Sequence, residues 1–291
     1  METNPSAQPH TDPHRPRYHF LPPSEWLNDP NGPIWWRGEH HLFYQYGPEP
    51  ENWGLKYWGH AVSTDLVHWR ALPIALSPTP GGPDKDGVWS GSAVDHDGEL
   101  ALLYTGVFPE VQCLATSRDG VVFEKYPANP VIAAPPAGMD VTGFRDPCVW
   151  REEDGWYLII GSGLKDVGGA ALLYRSDDLR AWEYLHPLCQ GKTDESGEMW
   201  ECPDFFPLGG RHVLCFSPYG RPRYDTGAYA DHRFTPATEG ILDYGWHFYA
   251  PKSYLDGAGR RILWGWCWEG RSDDAQHAAG WSGIMSLPRV L

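Results

Sequence analysis

The sequence lacks any long apolar segment, because no run approaches the roughly eighteen consecutive apolar residues that a membrane-spanning helix requires. The first twenty residues, METNPSAQPHTDPHRPRYHF, contain neither the apolar region nor the cleavage pattern of a secretory signal peptide. We therefore expect a soluble, cytoplasmic protein with no membrane partner. Residues 1–17 are predicted to form a disordered tail and residues 18–291 a single folded domain.

Clustered cysteines and an excess of basic residues are also missing. The six cysteines show no CxxC spacing and no accompanying His pattern, which argues against both a disulfide scaffold and a structural zinc and favours free, buried thiols. Lys and Arg number 23 against 38 Asp and Glu, so the formal net charge is -15. Such a chain repels phosphate backbones and anionic lipid, and nucleic acid is a poor partner. A neutral substrate suits the charge better.

Aromatic and turn-forming residues are abundant instead, with 16 Trp, 15 Tyr, 33 Gly and 28 Pro. This composition is typical of many short strands joined by tight turns and of a site lined with flat rings. Sustained helical periodicity is absent over most of the chain, which argues against α/β folds. The sequence therefore predicts an all-β protein.

Two interleaved patterns predict how the strands are grouped. STDLVHW at 63–69 returns as SRDGVVF at 117–123 and as SDDLRAW at 176–182. Short apolar runs follow polar turns at five places: HHLFYQY from 40, LALLYTG from 100, GWYLIIG from 155, HVLCFSP from 212 and RILWGW from 261. Units of this size fit a four-stranded sheet, so we predict a five-bladed β-propeller. A β-sandwich would also produce some of these coincidences.

Three acids occupy similar positions before hydrophobic strands. They are Asp29 in WLNDPNG, Asp146 in GFRDPCVW and Glu201 in GEMWECPDFFPL, with Asp204 as a rival to Glu201. Taken singly, each has an ordinary interpretation: an Asx-turn, a solvated ion pair with the adjacent arginine, and a strand-edge glutamate. In a propeller the inner strands converge on one axis, where such acids can meet. The apolar neighbours of Glu201 suit a general acid.

Paired carboxylates among tryptophans are typical of a glycosidase, because indoles stack on the apolar faces of sugars and one acid must protonate the leaving group. A lectin would share the aromatic and polar residues but needs no such acid. This chemistry requires no metal and no cofactor.

The chain also resembles glycoside hydrolase family 32, the group of invertases, inulinases and levanases. The resemblance lies in YHFLPPSEWLNDPNG, HLFYQY, YWGHAVSTDLVHW, WSGSA, FRDP, WECPDFFPL, FYAPKSYLDGAGRRILWGW and WSGIMSLPRVL. It implies a five-bladed propeller in which Asp29 is the nucleophile, Asp146 stabilises the transition state and Glu201 is the acid and base. A retaining double displacement would place the first and last carboxyls about 5 to 5.5 Å apart.

The same resemblance implies a fructose pocket, and three departures from the family pattern bear on it. The pocket would comprise Asn28, Gln45, Trp53, Trp89, Ser90, Arg145 and Trp264. Trp89 stands where the family usually has Phe, and His247 replaces an Asp. The family usually continues into a C-terminal β-sandwich after the segment that ends here at Leu291. Its absence from this sequence predicts either a shortened chain or a bare propeller, with a possible homo-oligomer formed through the uncovered surface.

We therefore expect an exo-acting β-fructofuranosidase whose partner is a small carbohydrate, sucrose or a fructo-oligosaccharide. A fructosyltransferase would use the same acids and differ only in its acceptor. A non-catalytic fructan-binding propeller is the alternative of another class. A related propeller enzyme acting on arabinofuranosides fits the motifs less well.

Overall fold

The computed structural model describes residues 12–291, and its strands form five sheets. The first contains β1 (Glu25–Pro30), β2 (Ile34–Trp36), β3 (Glu39–Gly47), β4 (Tyr57–Ser63) and β5 (Arg70–Leu76). The second contains β6 (Val88–His96), β7 (Glu99–Gly106), β8 (Val111–Ser117) and β9 (Glu124–Lys125). The third contains β10 (Val141–Glu152), β11 (Gly155–Leu164), β12 (Gly168–Ser176) and β13 (Glu183–Gln190).

A four-residue helix, α1 (Thr193–Ser196), precedes the fourth sheet. That sheet contains β14 (Glu201–Leu208), β15 (Arg211–Ser217), β16 (Arg223–Ala230) and β17 (Arg233–Ile241). The fifth contains β18 (Phe248–Leu255), β19 (Arg261–Cys267), β21 (Ile284–Met285) and β22 (Arg289–Val290). Between β19 and β21 the chain forms α2 (Asp273–Ala279) and β20 (Trp281–Ser282), and β20 belongs to the first sheet. The five sheets are the blades of a propeller, as the sequence predicts.

The five apolar runs noted in the sequence are the second strands of the five blades, namely β3, β7, β11, β15 and β19. Each is flanked by antiparallel neighbours and packs between adjacent blades. Side chains from the second and third blades, including Leu103 and Leu158, share one buried cluster, and those of the third and fourth, including Ile159 and Leu214, share another. The hydrophobic core therefore lies between the blades, which is why these strands are apolar on both faces.

The Ser-x-Asp repeat is the connection from the third to the fourth strand in each of the first three blades. In the first, the Asp65 carboxylate accepts hydrogen bonds from the backbone N–H groups of Val67 and His68, at 2.9 and 2.7 Å. Asp119 and Asp178 each accept two backbone N–H bonds at the same offsets. Each Ser-x-Asp segment is a turn stabilised by hydrogen bonds to its aspartate side chain, and its recurrence in the sequence marks successive blades.

Closure of the ring joins the two ends of the domain. β20 pairs in parallel with β1, bringing Trp281 opposite Glu25, while β21 and β22 pair with β19. Of the predicted tail, residues 1–11 lie outside the described residues. Asp12 accepts a hydrogen bond from Trp281 Nε1 at 2.9 Å. Neither helix among residues 12–291 is long and apolar enough to span a membrane.

Candidate active site

The innermost strand of every blade is interrupted at the same level of the axis. The pairing register shifts between Leu27 and Pro30 in β1, Trp89 and Gly91 in β6, Arg145 and Cys148 in β10, Glu201 and Asp204 in β14, and Tyr249 and Lys252 in β18. Such irregularities bend a strand and re-aim its side chains. Two consecutive side chains can then face the axis, where a regular strand would present only one.

The backbone shows how three of these irregularities are made. Asp146, Cys202 and Ala250 have φ values of 62°, 47° and 49°, in the left-handed region that residues other than glycine rarely occupy. A proline follows each of them in the sequence. Each such residue costs on the order of 1–3 kcal/mol and persists only where its surroundings hold it in place.

The irregularities surround a pocket of about 200 Å³. It is lined by Asn28, Asp29, Gln45, Gly54, Lys56, Trp89, Ser90, Arg145, Asp146 and Glu201. The structure thus brings the three predicted acids together from the first, third and fourth blades, although Asp146 follows Asp29 by 117 residues and Glu201 follows Asp146 by 55. Five of the seven predicted pocket residues accompany them.

Asp29 is held through one of its two carboxylate oxygens. Ser90 Oγ donates to Oδ2 at 2.7 Å, and the Cys202 thiol contacts the same atom at 3.5 Å. Both contacts fall on Oδ2, so Oδ1 has no hydrogen-bond partner within residues 12–291.

Asp146 is the most enclosed of the three acids, with 4% of its surface exposed. Oδ2 accepts a hydrogen bond from the Cys202 backbone N–H at 2.9 Å and contacts the Cys202 thiol at 3.5 Å. Burial raises the pKa of Asp146 to about 7; the Arg145 guanidinium opposes the rise, while the carboxylates of Glu201 and Asp29 add to it.

The Glu201 carboxylate lies in a polar network, so the prediction that its surroundings are apolar is wrong. Arg145 donates to Oε1 from Nε at 3.1 Å and from Nη2 at 2.8 Å, and the Tyr249 hydroxyl donates to Oε2 at 2.5 Å. Arg145 also donates to Glu110 Oε1 at 2.8 Å and to the Tyr219 hydroxyl at 2.7 Å. The arginine beside Asp146 in the sequence therefore orients the acid of the next blade.

Lys56 is a pocket residue that sequence reasoning missed. Its ammonium donates to the Trp53 carbonyl and lies 4.6 Å from the centre of the Trp26 ring, a cation–π arrangement. Burial lowers the pKa of Lys56 to about 8, and the charge of Asp29 opposes the shift. Lys56 is therefore the second cation of the pocket, together with Arg145, beside its three carboxylates.

Two predicted pocket residues lie elsewhere. Trp264 is 1% exposed and packs in the core between the fifth and first blades, at 5.7 Å from Trp69, so its assignment to the pocket is wrong. Its motif is apolar on both faces because it belongs to a second strand. Trp53 stands beside the pocket lining, where its Nε1 donates to Glu25 at 2.8 Å and its ring stacks on His277 at 3.9 Å.

The other residues singled out in the sequence are also outside the pocket. His247 is exposed, with Nδ1 3.1 Å from the Trp268 carbonyl. Asp204, the rival of Glu201, is buried near the opposite end of the axis, where Ser253 Oγ donates to it at 2.6 Å. It lines the larger cavity there, about 560 Å³. The larger cavity is thus not the one that contains the paired acids.

Further residues of the acid network went unnoticed in the sequence, namely Tyr249, Glu110 and Cys202. Tyr249 and Cys202 have a signal in common: each belongs to a tripeptide ending in proline, YAP and ECP, that matches NDP and RDP. Glu110 lies on the β7–β8 connection and shares no pattern with the others.

Comparison with known proteins places these features in a family. Residues 19–291 match the family model described as glycosyl hydrolases family 32 N-terminal domain. The chain is 45% identical to a sucrose-6-phosphate hydrolase of Escherichia coli and 42% identical to a raffinose invertase of Escherichia coli, over 95% of this chain and 62% of each relative. It thus spans about three fifths of the length of these relatives.

Solved structures show the same likeness. A GH32 beta-fructofuranosidase of Bombyx mori superposes with a TM-score of 0.86 at 39% identity, covering 96% of this chain and 63% of that one. Fructan 1-exohydrolase IIa of Cichorium intybus, solved in complex with 1-kestose, superposes with a TM-score of 0.88 at 37% identity, covering 96% and 58%.

Proposed function

The chain belongs to glycosyl hydrolases family 32, and we propose that it hydrolyses terminal β-D-fructofuranosyl residues of sucrose or fructo-oligosaccharides as an exo-acting, retaining enzyme. The observation that carries the proposal is the meeting of Asp29, Asp146 and Glu201 in one small pocket, with Arg145 and Tyr249 fixing the last of them. Similarity to a raffinose invertase and to a fructan exohydrolase supports the substrate class.

In the first step, Oδ1 of Asp29 attacks the anomeric carbon of the fructosyl unit while the bond from that carbon to the leaving oxygen breaks. The leaving oxygen takes the proton of Glu201, which gives a fructosyl ester on Asp29. In the second step, Glu201 removes a proton from water, the water oxygen attacks the same carbon, and Asp29 leaves as a carboxylate. Arg145 and Tyr249 stabilise the ionised Glu201 that this second step requires.

Asp146 contributes through its position between the other acids. Its enclosed carboxylate would accept hydrogen bonds from ring hydroxyls of the fructosyl unit and stabilise the positive charge that develops in the transition state. Cys202 holds Asp146 and Asp29 at a fixed separation, since its thiol contacts one oxygen of each at 3.5 Å. Fixed geometry of this kind lowers the entropy cost of reaction.

The size of the pocket supports the exo mode, and the net charge of the chain supports a neutral substrate. A volume of about 200 Å³ suits one sugar ring and is too small for an internal segment of a polysaccharide to pass through. Its lining carries three carboxylates against the two cations Arg145 and Lys56. The formal net charge of -15 on the whole chain disfavours an anionic sugar, so we propose a neutral fructoside although some relatives are sucrose-6-phosphate hydrolases.

The decisive experiment is a product assay on sucrose, inulin and levan side by side, with Asp29→Ala and Glu201→Ala as matched variants. The parent should release free fructose with retained anomeric configuration, and both variants should lose at least about a thousandfold in kcat. Kestose-type products with little free fructose would indicate a fructosyltransferase. Ligand binding without turnover in the parent would indicate a binding propeller.

A further inference from the structure

A group of exposed aromatic side chains lies beside the acid pocket, and we name it the aromatic rim. It consists of Tyr219, Tyr244, Trp246 and Trp268, of which Tyr244 and Trp246 are 72% and 75% exposed. Large exposed rings grouped in this way are uncommon on a protein surface unless they bind something.

The aromatic rim is at the same end of the propeller as the acids. Its residues follow β15, β17 and β19. The last residue of β15 pairs with the first of β14, that of β17 with the first of β16, and that of β19 with the first of β18, so all three strands end on the side where β14 and β18 begin. Glu201 is the first residue of β14, and Tyr249 is the second residue of β18. The rim therefore lies at the same end of the propeller as the acids, and its Tyr219 hydroxyl accepts a hydrogen bond at 2.7 Å from Arg145 of the pocket lining.

Ring contacts run continuously from the pocket to the rim. The Tyr249 hydroxyl donates to Glu201, and the Tyr249 ring centre is 6.5 Å from that of Trp266. Trp266 is 6.2 Å from Trp268, whose Nε1 donates to the Trp246 carbonyl at 2.7 Å. Two ring-to-ring steps thus separate Tyr249 from Trp268, whereas Tyr219 of the rim contacts Arg145 and Tyr249 directly.

Arg221 adds a polar group to these rings. Its guanidinium carbon lies 4.3 Å from the Trp246 ring centre and 5.9 Å from that of Tyr244. Its Nε is buried and has no hydrogen-bond partner among the described residues. Because this Nε is buried, a sugar would meet the exposed Trp246 ring and not this donor, and an indole face is suited to the apolar C–H groups that a sugar presents on one face.

We propose that the aromatic rim binds the sugar units of neutral oligosaccharides that lie beyond the first unit of the leaving group. This inference rests on the proposed function, because the terminal fructosyl unit must occupy the acid pocket for the remaining units to reach Trp268 and Trp246. Sucrose fills only the pocket and the position next to it. The rim therefore favours longer substrates over sucrose.

The experiment compares sucrose with a neutral inulin-type tetrasaccharide in the parent, in Trp246→Ala and in Tyr18→Ala. Tyr18 is 80% exposed and belongs to the segment before β1, so it controls for loss of any exposed ring. Trp246→Ala should lower kcat/KM for the tetrasaccharide about fivefold, the effect of losing one ring contact, and leave kcat/KM for sucrose unchanged. Tyr18→Ala should change neither.

Calorimetric titration of a Glu201→Gln variant with the same two sugars separates this inference from the proposed function. Tighter binding of the tetrasaccharide that is lost when Trp246→Ala is added supports the rim even if the parent hydrolyses neither sugar. Equal loss for both sugars, or no loss for either, overturns the inference. A change in sedimentation coefficient of Trp246→Ala with unchanged sugar discrimination also overturns it, because the rim would then be a protein contact.

Discussion

Replacement of Arg145 by glutamine tests the charge balance of the pocket. The guanidinium is 8% exposed and donates to Glu201 and Glu110 through three hydrogen bonds of 2.8 to 3.1 Å. Removing one partner of such a buried ionic group costs about 3–5 kcal/mol of unfolding free energy, since the Glu201 and Glu110 carboxylates, whose side chains are 21% and 19% exposed, lose their charged partner. We expect Arg145→Gln to lose this amount at pH 8.

The loss should depend on pH, with a sign set by Asp146. Arg145 counteracts the effect of burial on the pKa of Asp146, so its removal raises that pKa further above the unfolded value of about 3.9. A carboxyl with a raised folded pKa contributes stability that is fully present below the unfolded pKa and is lost as pH rises through the folded pKa. Arg145→Gln should therefore be less destabilising at pH 5 than at pH 8.

Urea unfolding of parent and variant at the two pH values measures both quantities. Arg118→Gln is the matched control, because Arg118 also pairs with a glutamate, Glu99 at 2.6 Å, but its side chain is 90% exposed. That variant should differ little from the parent at either pH. A loss of less than about 1 kcal/mol for Arg145→Gln, or a loss that is the same at pH 5 and pH 8, would refute the reasoning.

Three further predictions concern single residues. Trp264→Ala should lower the unfolding free energy, measured with urea, by about 3–5 kcal/mol and leave the KM for sucrose unchanged. A tenfold rise in KM would instead indicate that Trp264 contributes to the pocket. Cys202→Ala should lower kcat about tenfold, near the low end for a hydrogen bond to a charged group, and Cys202→Ser should restore most of it; equal kcat in the two variants would contradict a donor role. Because burial raises the pKa of Asp146 to about 7, the parent loses stability as pH rises through that value, and Asp146→Asn should remove this loss. The unfolding free energy of Asp146→Asn relative to the parent should then rise between pH 5 and pH 8, by at most about 1.4 kcal/mol per pH unit, and a flat difference would contradict the assignment.

Local patterns in the sequence were enough for the propeller and for the positions of the three acids. The second-strand runs recur in all five blades and the Ser-x-Asp turns in the first three, and both depend only on neighbouring residues. Such local patterns did not predict the positions of Trp264 and Lys56 correctly. A tryptophan in a motif can face either side of its strand, and only the register of β19 places Trp264 in the core. Lys56 reaches the pocket from a loop, where no periodicity predicts direction.

The five interruptions of the inner strands explain why the pocket exists at this level of the axis and not at another. NDP, RDP, ECP and YAP occupy equivalent places in the first, third, fourth and fifth blades, and the second blade has WSG. The middle residues of these tripeptides form an inner ring, in which Ser90 contacts Asp29 and Cys202 contacts both Asp29 and Asp146.

The first residues form an outer ring, in which Arg145, Glu201 and Tyr249 are joined by hydrogen bonds. One local backbone irregularity, repeated five times, thus supplies both the acids that line the pocket and the groups that orient them. A change that restored a regular strand in any blade would remove one member of each ring, so the prolines that follow the bends in four of the blades determine the geometry of the pocket as much as the carboxylates do.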